Sequence, residues 1–349
     1  MPRTYLQEPT ESRGNIHLQA AQDISGLEAG RYRASSFDRP HVFGVIPFPL
    51  SSLRQSGARA DAVQDGRHVV AGITGPSISV SKGPAMRDGY TYGDTDLAAE
   101  RLDLVARAFE PTSRSFLARD GVKGPALALD LGCGPGNTTR LLAETLAPVR
   151  TMGLDASGPF LERARRSARP GTTFHEHDVL TVPLPGAPAD LIYSRLLLSH
   201  LPDPPATVAR WGSQLREGGL LMLDEMEGIT AQEPILTRYL DLTRDVVRRT
   251  GAELFVGPAL DAMPDPNGLR RIANAVATFT LTEAAAATIF SMNLSVLTER
   301  GEVEPQDELV AQLGTLAGSG APGPTSWRVR QMVFARRVAV PSIGTSKNT

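Results

Sequence analysis

The chain has 349 residues, 41% of them hydrophobic and 21% charged, with a formal net charge of -2. Such a composition can bury a sizeable core, as one large α/β domain or as two domains, and it gives no global reason to expect nucleic acid as a partner. One cysteine excludes an intrachain disulfide, and no apolar run approaches the roughly 18 residues of a membrane span. The first residues lack the basic start and apolar core of a secretory leader, so the expected location is cytoplasmic, away from membranes.

Taken in order, residues 1–85 scatter Pro, Gly, Ser and Arg without a sustained period. They are read as a poorly structured extension, or as sequence upstream of a natural start at Met86, in preference to a recognition arm. From Asp94 the pattern turns helical, with Leu97, Leu102, Leu104, Val105 and Phe109 near 3.6 spacing, and a second short helix is expected over Thr112 to Arg119. The organising stretch is Ala126 to Arg140. Its apolar run ends in Asp130, Gly132, Gly134 and Gly136 follow at every second position, and a helical pattern begins. That is a strand, a tight turn and a helix N-terminus, which brings bare backbone close to a small ligand. The helix amides suit a carboxylate and Asp130 suits an ammonium, so a ligand built on an amino acid fits better than a bare phosphate.

Further strands are expected at Thr151 to Leu154, Thr172 to Glu176, Asp190 to Tyr193 and Leu220 to Asp224, alternating with helices over the segments between. Ser157 and Asp203 are placed to cap two of those helices. Beyond the fifth strand come a helix from Glu233 to Arg249, a loop-rich stretch, a strand over Ala275 to Leu281 and a helix over Glu283 to Glu299 with Thr280 and Glu283 at capping-box spacing. A helix over Asp307 to Leu316 and a strand over Arg328 to Arg337 complete the pattern. The tail, 341–349, is expected to fray.

These motifs resemble the class I S-adenosylmethionine-dependent methyltransferases. Asp130-Leu-Gly-Cys-Gly-Pro-Gly136 is similar to that family's first motif, and Gly153-Leu-Asp155, His177-Asp178-Val179, Asp190 to Pro202 and Leu215 to Leu223 resemble later ones in register. The resemblance implies a Rossmann-like α/β fold, a seven-stranded mostly parallel sheet of order 3-2-1-4-5-7-6 with helices on both faces. It also implies a helical lid from residues 86–121 and a catalytic domain over 122–340, with a helical insertion at about 251–274. S-adenosylmethionine is the implied cofactor. Asp130 with Gly132, Gly134 and Gly136 would hold its methionine end, Asp155 its ribose hydroxyls and Asp178 with the Val179 amide its adenine, with Ala156 packed on the ring and Ser194 nearby.

The acceptor side is less defined. His200, Arg195 and Tyr92 are the residues expected to face the reacting group, Tyr92 as a lid aromatic, and Asp224, Glu225 and Glu227 are weighed as base or amine anchor. No metal is expected, because no His/Cys cluster has ligand spacing. Phe109, Phe255, Met263, Phe290 and Met292 suggest a small apolar or aromatic acceptor, as in secondary metabolism, and the assembly is left open to a homodimer. Two alternatives stay open: a protein that binds the cofactor without methylating, and a nicotinamide oxidoreductase. The latter is disfavoured because Asn137 stands where its third glycine belongs.

Overall fold

The computed structural model describes residues 95–119 and 124–338. Its centre is a seven-stranded sheet of order β3-β2-β1-β4-β5-β7-β6. The strands are β1 (Leu127–Leu131), β2 (Arg150–Asp155), β3 (Thr172–Glu176), β4 (Ala189–Arg195), β5 (Leu215–Thr230), β6 (Leu269–Thr282) and β7 (Pro324–Arg336). β1 to β5 run parallel, while β7 lies antiparallel between β5 and β6. The expected order is therefore observed, and it places the switch in strand order between β1 and β4.

Helices cover both faces. α1 (Asp96–Leu117) and α2 (Asn137–Leu146) bury Phe116, Leu117, Leu141 and Leu142 against one face. α4 (Pro204–Gly212) and the short α6 (Gly257–Ala262) bury Val208, Trp211 and Leu260 against the other. α3 (Gly158–Arg166) starts at Ser157, whose hydroxyl accepts from the Phe160 amide as expected of a cap. α5 (Pro234–Arg249), α7 (Glu283–Glu299) and α8 (Asp307–Gly318) pack together. Among the described residues no helix is long and apolar enough to cross a membrane.

Several boundaries differ from expectation. α1 is one helix, not two: Pro111 sits inside it, and its lost amide is accommodated on a half-exposed turn where the Thr112 and Ser115 hydroxyls donate back to Phe109 and Pro111 carbonyls. α7 is capped by Thr282, which accepts from the Ala285 amide, so the Thr280–Glu283 box does not form. β6 begins at Leu269, within the expected helical insertion at 251–274, because Leu269 to Asn274 pair with Arg336 to Met332 of β7. Of that insertion only α6 is helical. The extension over 1–85, the tail over 341–349 and Tyr92 lie outside the described residues.

β5 is also longer than its apolar core suggests. It pairs with β4 as far as Asp224 and then continues with β7 to Thr230. This overhang, with β6 and β7, projects past the tips of the parallel strands. On it Phe279 and Trp327 stack at 6.0 Å, with Phe109 of α1 edge-on to Phe279 at 4.9 Å and Phe290 of α7 at 5.8 Å from Trp327.

Candidate active site

A cavity of about 390 Å³ opens at the C-terminal ends of β1, β2 and β4 and runs under α1 toward α5 and α7. One end is built by the β1–α2 turn. Gly132 and Gly136 have φ of 66° and 90°, the left-handed region in which an L side chain is strained. A Cβ on Gly132 would also stand 2.8 Å from the Leu197 side chain. The turn can therefore lie flat against the β4 loop with its backbone facing the cavity.

Asp155 ends β2 on the same wall. Its Oδ2 accepts from the Gly134 amide at 2.8 Å and its Oδ1 from the Ser157 amide at 2.8 Å, so the carboxylate ties the glycine turn to the start of α3. Asp178, after β3, is exposed at the cavity mouth. It accepts from the Leu180 amide at 2.8 Å and lies 3.3 Å from the Thr181 hydroxyl, a turn-forming arrangement that leaves further lone pairs. Gly132, Gly134, Ala156 and Val179 line the same end.

Three of the expected cofactor residues do not reach the cavity wall. Asp130 is fully buried beneath the turn, its Oδ2 accepting from the Thr138 and Thr139 hydroxyls at 2.7 and 2.6 Å. Its Oδ1 has no hydrogen-bond partner among the described residues. Burial pushes this carboxyl up to about 6, against the pull of those hydroxyls. Gly136 serves the turn from behind, against Ala164 and Phe174. Ser194 is fully buried in β4 and does not line the cavity.

The other end is apolar. Phe109, Met226, Ile229, Leu254, Phe290 and Trp327 contribute to its wall, with Tyr239, Phe255 and Ile289. Met263, expected here, lies instead in the core under the sheet, and Met292 does not line the cavity. Into this end project Arg101, Arg195 and His200. Burial, aided by the charge of Arg101, pulls His200 down to about 3, so its imidazole is neutral. Arg195 lies 6.0 Å over the Phe109 ring, and its Nη1 is 3.4 Å from the Ser113 hydroxyl.

The acids weighed as base or amine anchor are otherwise engaged. Asp224 is buried and accepts from Ser113, Tyr193 and Gln331 at 2.6, 3.1 and 3.1 Å. Glu227 receives both arms of the Arg330 fork at 3.0 and 2.8 Å. Glu225 Oε1 accepts from the Leu197 and Leu198 amides, both at 3.0 Å, and so pins the loop carrying Ser199 and His200. None of the three lines the cavity.

Sequence reasoning passed over Arg101, Tyr239 and Asn293. A usable signal existed: Arg101 and Tyr239 lie on the apolar sides of α1 and α5 and Asn293 lies within the largely apolar α7, where burial demands a partner. No group of three or more His, Cys, Asp or Glu residues among those described could hold a metal ion.

Residues 128–219 match the family model described as a methyltransferase domain. Among the curated relatives, a trans-aconitate 2-methyltransferase of Methylobacterium nodulans is 36% identical over 133 residues, which is 37% of this chain and 50% of that protein. Another, of Methylobacterium radiotolerans, is 35% identical over 177 residues, 50% of this chain and 62% of the relative. The chain thus spans about half of the length of the curated relatives it matches. An S-adenosylmethionine-dependent methyltransferase from Mesorhizobium loti is similar in structure at 22% identity and a TM-score of 0.39, covering 67% of this chain and all of that one.

Proposed function

We propose that this chain, whose residues 128–219 match a methyltransferase domain, transfers a methyl group from S-adenosylmethionine to a small acceptor with an apolar body. The observation that carries the reading is Asp155: one carboxylate fixes the glycine turn and faces a cavity that continues into an aromatic chamber. The chain's groups suit the cofactor. Asp155 offers acceptor oxygens for ribose hydroxyls, Asp178 and the Val179 backbone suit an adenine edge, and the open turn at Gly132 and Gly134 admits an amino-acid tail. The orphan Oδ1 of Asp130 below the turn gives that end a negative bias.

When bound, held by Asp155, Asp178 with the Val179 backbone and the turn at Gly132 and Gly134, the cofactor would supply an electrophilic sulfonium methyl for transfer to the acceptor, with S-adenosylhomocysteine as the other product. The chain's part is alignment and exclusion of water. Phe109, Phe290 and Trp327 hold the acceptor's body in a dry chamber, and Arg195 and His200 border the reacting region. His200 acts as a neutral hydrogen-bonding group and not as a base, since an imidazole held near 3 accepts a proton weakly. We therefore expect kcat/KM to show no His200 limb between about pH 5 and 7, and His200→Gln to cost less than about tenfold. A limb near 6.5 in the wild type that vanishes in the variant overturns this role.

The relatives' named acceptor, trans-aconitate, is the direct comparison. Mass spectrometry should find S-adenosylhomocysteine released in step with methylated products from apolar metabolites, and at least about tenfold less turnover with trans-aconitate. Tight cofactor binding without turnover on any acceptor would favour a non-methylating protein, and preferential turnover of trans-aconitate would overturn the apolar reading.

A further inference from the structure

Arg195 stands where the two ends of the cavity meet. It closes β4, and the residues after it fold over the glycine turn, with the Leu197 side chain against Gly132. Its guanidinium lies 6.0 Å over the ring of Phe109 on the apolar wall. Nη1 donates to the Ser113 hydroxyl at 3.4 Å, and Ser113 donates in turn to Asp224 at 2.6 Å. No carboxylate reaches the guanidinium directly among the described residues. Asp224 is held by Ser113, Tyr193 and Gln331, and Asp130 by Thr138 and Thr139, so both buried acids feel the charge of Arg195 without taking up its donors. A planar fork with N–H groups still to place therefore faces the region where acceptor and cofactor adjoin.

The same end of the cavity offers no place for a proton. Its ionisable side chains among the described residues are Arg101, Arg195, His200 and Tyr239, while the acids lining the cavity, Asp155 and Asp178, stand at the turn-built end. Arg101 Nη1 donates to Asn293 Oδ1 at 2.7 Å, and burial pushes the Tyr239 phenol up to about 12 and His200 down to about 3. An acceptor hydroxyl seated here cannot hand its hydrogen to the chain, so it must ionise to solvent. Its anion then needs a charged donor, and a guanidinium in a water-poor chamber supplies one at about twice the strength of a neutral partner. An aliphatic alcohol is too weak an acid for that help to suffice. A phenol, which like tyrosine ionises near about 10, needs a shift of only about three units to be an anion at neutral pH.

Resting on the methyl-transfer reading, we propose that Arg195 binds the reacting oxygen of the acceptor, and that the acceptor is a phenol seated as its phenolate. The oxygen meets the guanidinium at the tip of β4, and the ring lies among Phe109, Phe290 and Trp327. The phenol's hydrogen goes to water as the anion is seated, so no side chain has to act as a base.

4-Nitrophenol tests this, because its anion is yellow and its neutral form is not. Titrated while bound to the full chain saturated with S-adenosylhomocysteine, its ionisation midpoint should lie at least about one pH unit below that of the free phenol, which is anion binding about tenfold tighter than binding of the neutral form. Arg195→Met should bring the bound midpoint to the free value or above it, since rings alone disfavour a charge. Arg195→Lys keeps a charge without the planar fork and should retain part of the downward shift. 4-Nitroanisole, the same ring with no hydrogen to lose, should bind the wild type and Arg195→Met within about threefold of each other, which reports an intact chamber. An unshifted or raised midpoint in the wild type, a shift that survives Arg195→Met, no binding of 4-nitrophenol, or loss of 4-nitroanisole in Arg195→Met overturns the proposal. A wild-type chain with no S-adenosylhomocysteine isotherm overturns the cofactor reading and this proposal with it, whereas a normal isotherm with an unshifted nitrophenol overturns this proposal alone.

Discussion

Asp155→Ala should weaken S-adenosylhomocysteine binding by about a hundredfold, roughly 2.7 kcal/mol, when measured by calorimetry. Two losses combine. The carboxylate's ability to accept from ribose hydroxyls disappears, and so do the 2.8 Å bonds from the Gly134 and Ser157 amides that hold the turn beside α3. Asp155→Asn keeps one acceptor oxygen and should fall between, at about tenfold. Because Asp155 is half-buried at a strand tip, the melting temperature should move far less than the affinity. An unchanged dissociation constant in Asp155→Ala, with the fold intact, would remove the main support for the cofactor reading.

Glu225 governs stability and its pH dependence. It is fully buried, and burial pushes it up to about 8 from an ordinary 4.5, against the opposing Leu198 and Leu197 amides. The native state thus holds a proton that the unfolded chain releases near pH 4.5. The resulting stabilisation is complete below that value and is lost as pH rises toward 8, by up to about 1.4 kcal/mol per pH unit inside the window. Glu225→Gln keeps an oxygen for the two amides but cannot titrate. The difference in melting temperature between wild type and variant should therefore slope against the wild type from pH 4.5 to 8 and level off outside it. Comparing the two chains cancels the contributions of Asp130 and His200. Glu225→Ala, which strands both amides, should cost about 2–5 kcal/mol and loosen the loop that carries His200. A wild-type and Glu225→Gln pair with parallel pH profiles would refute the account.

The parallel half of the sheet was legible in the sequence because its signals are local. β1 and β3 have the expected bounds, Leu127–Leu131 and Thr172–Glu176, and the caps at Ser157 and Asp203 mark α3 and α4. The long antiparallel strands were less so. Glu225, Glu227 and Arg330 are poor strand-core residues in isolation, and only the Glu227–Arg330 pairing across β5 and β7 and the Leu197 and Leu198 amides on Glu225 show why they tolerate burial. The same limit applies to the site. A glycine turn announces itself over seven residues, whereas Asn293 lies 54 positions from Tyr239 and 192 from Arg101, and the three meet only through helix packing. Asp130 shows the reverse failure: the right residue type at the right strand end is turned inward, where two threonines of α2 take it up.

The overhang of β5, β6 and β7 gives the molecule a division of labour. The matched domain ends at residue 219, before Met226, Phe279 and Trp327 appear along the chain. Most of the apolar end of the cavity is thus written after the matched stretch, while Phe109 of α1 reaches it from before that stretch and Arg195 and His200 from within it. On the methyl-transfer reading, exchanging α1 together with the stretch after residue 224 would fit the same strand tips to a new guest.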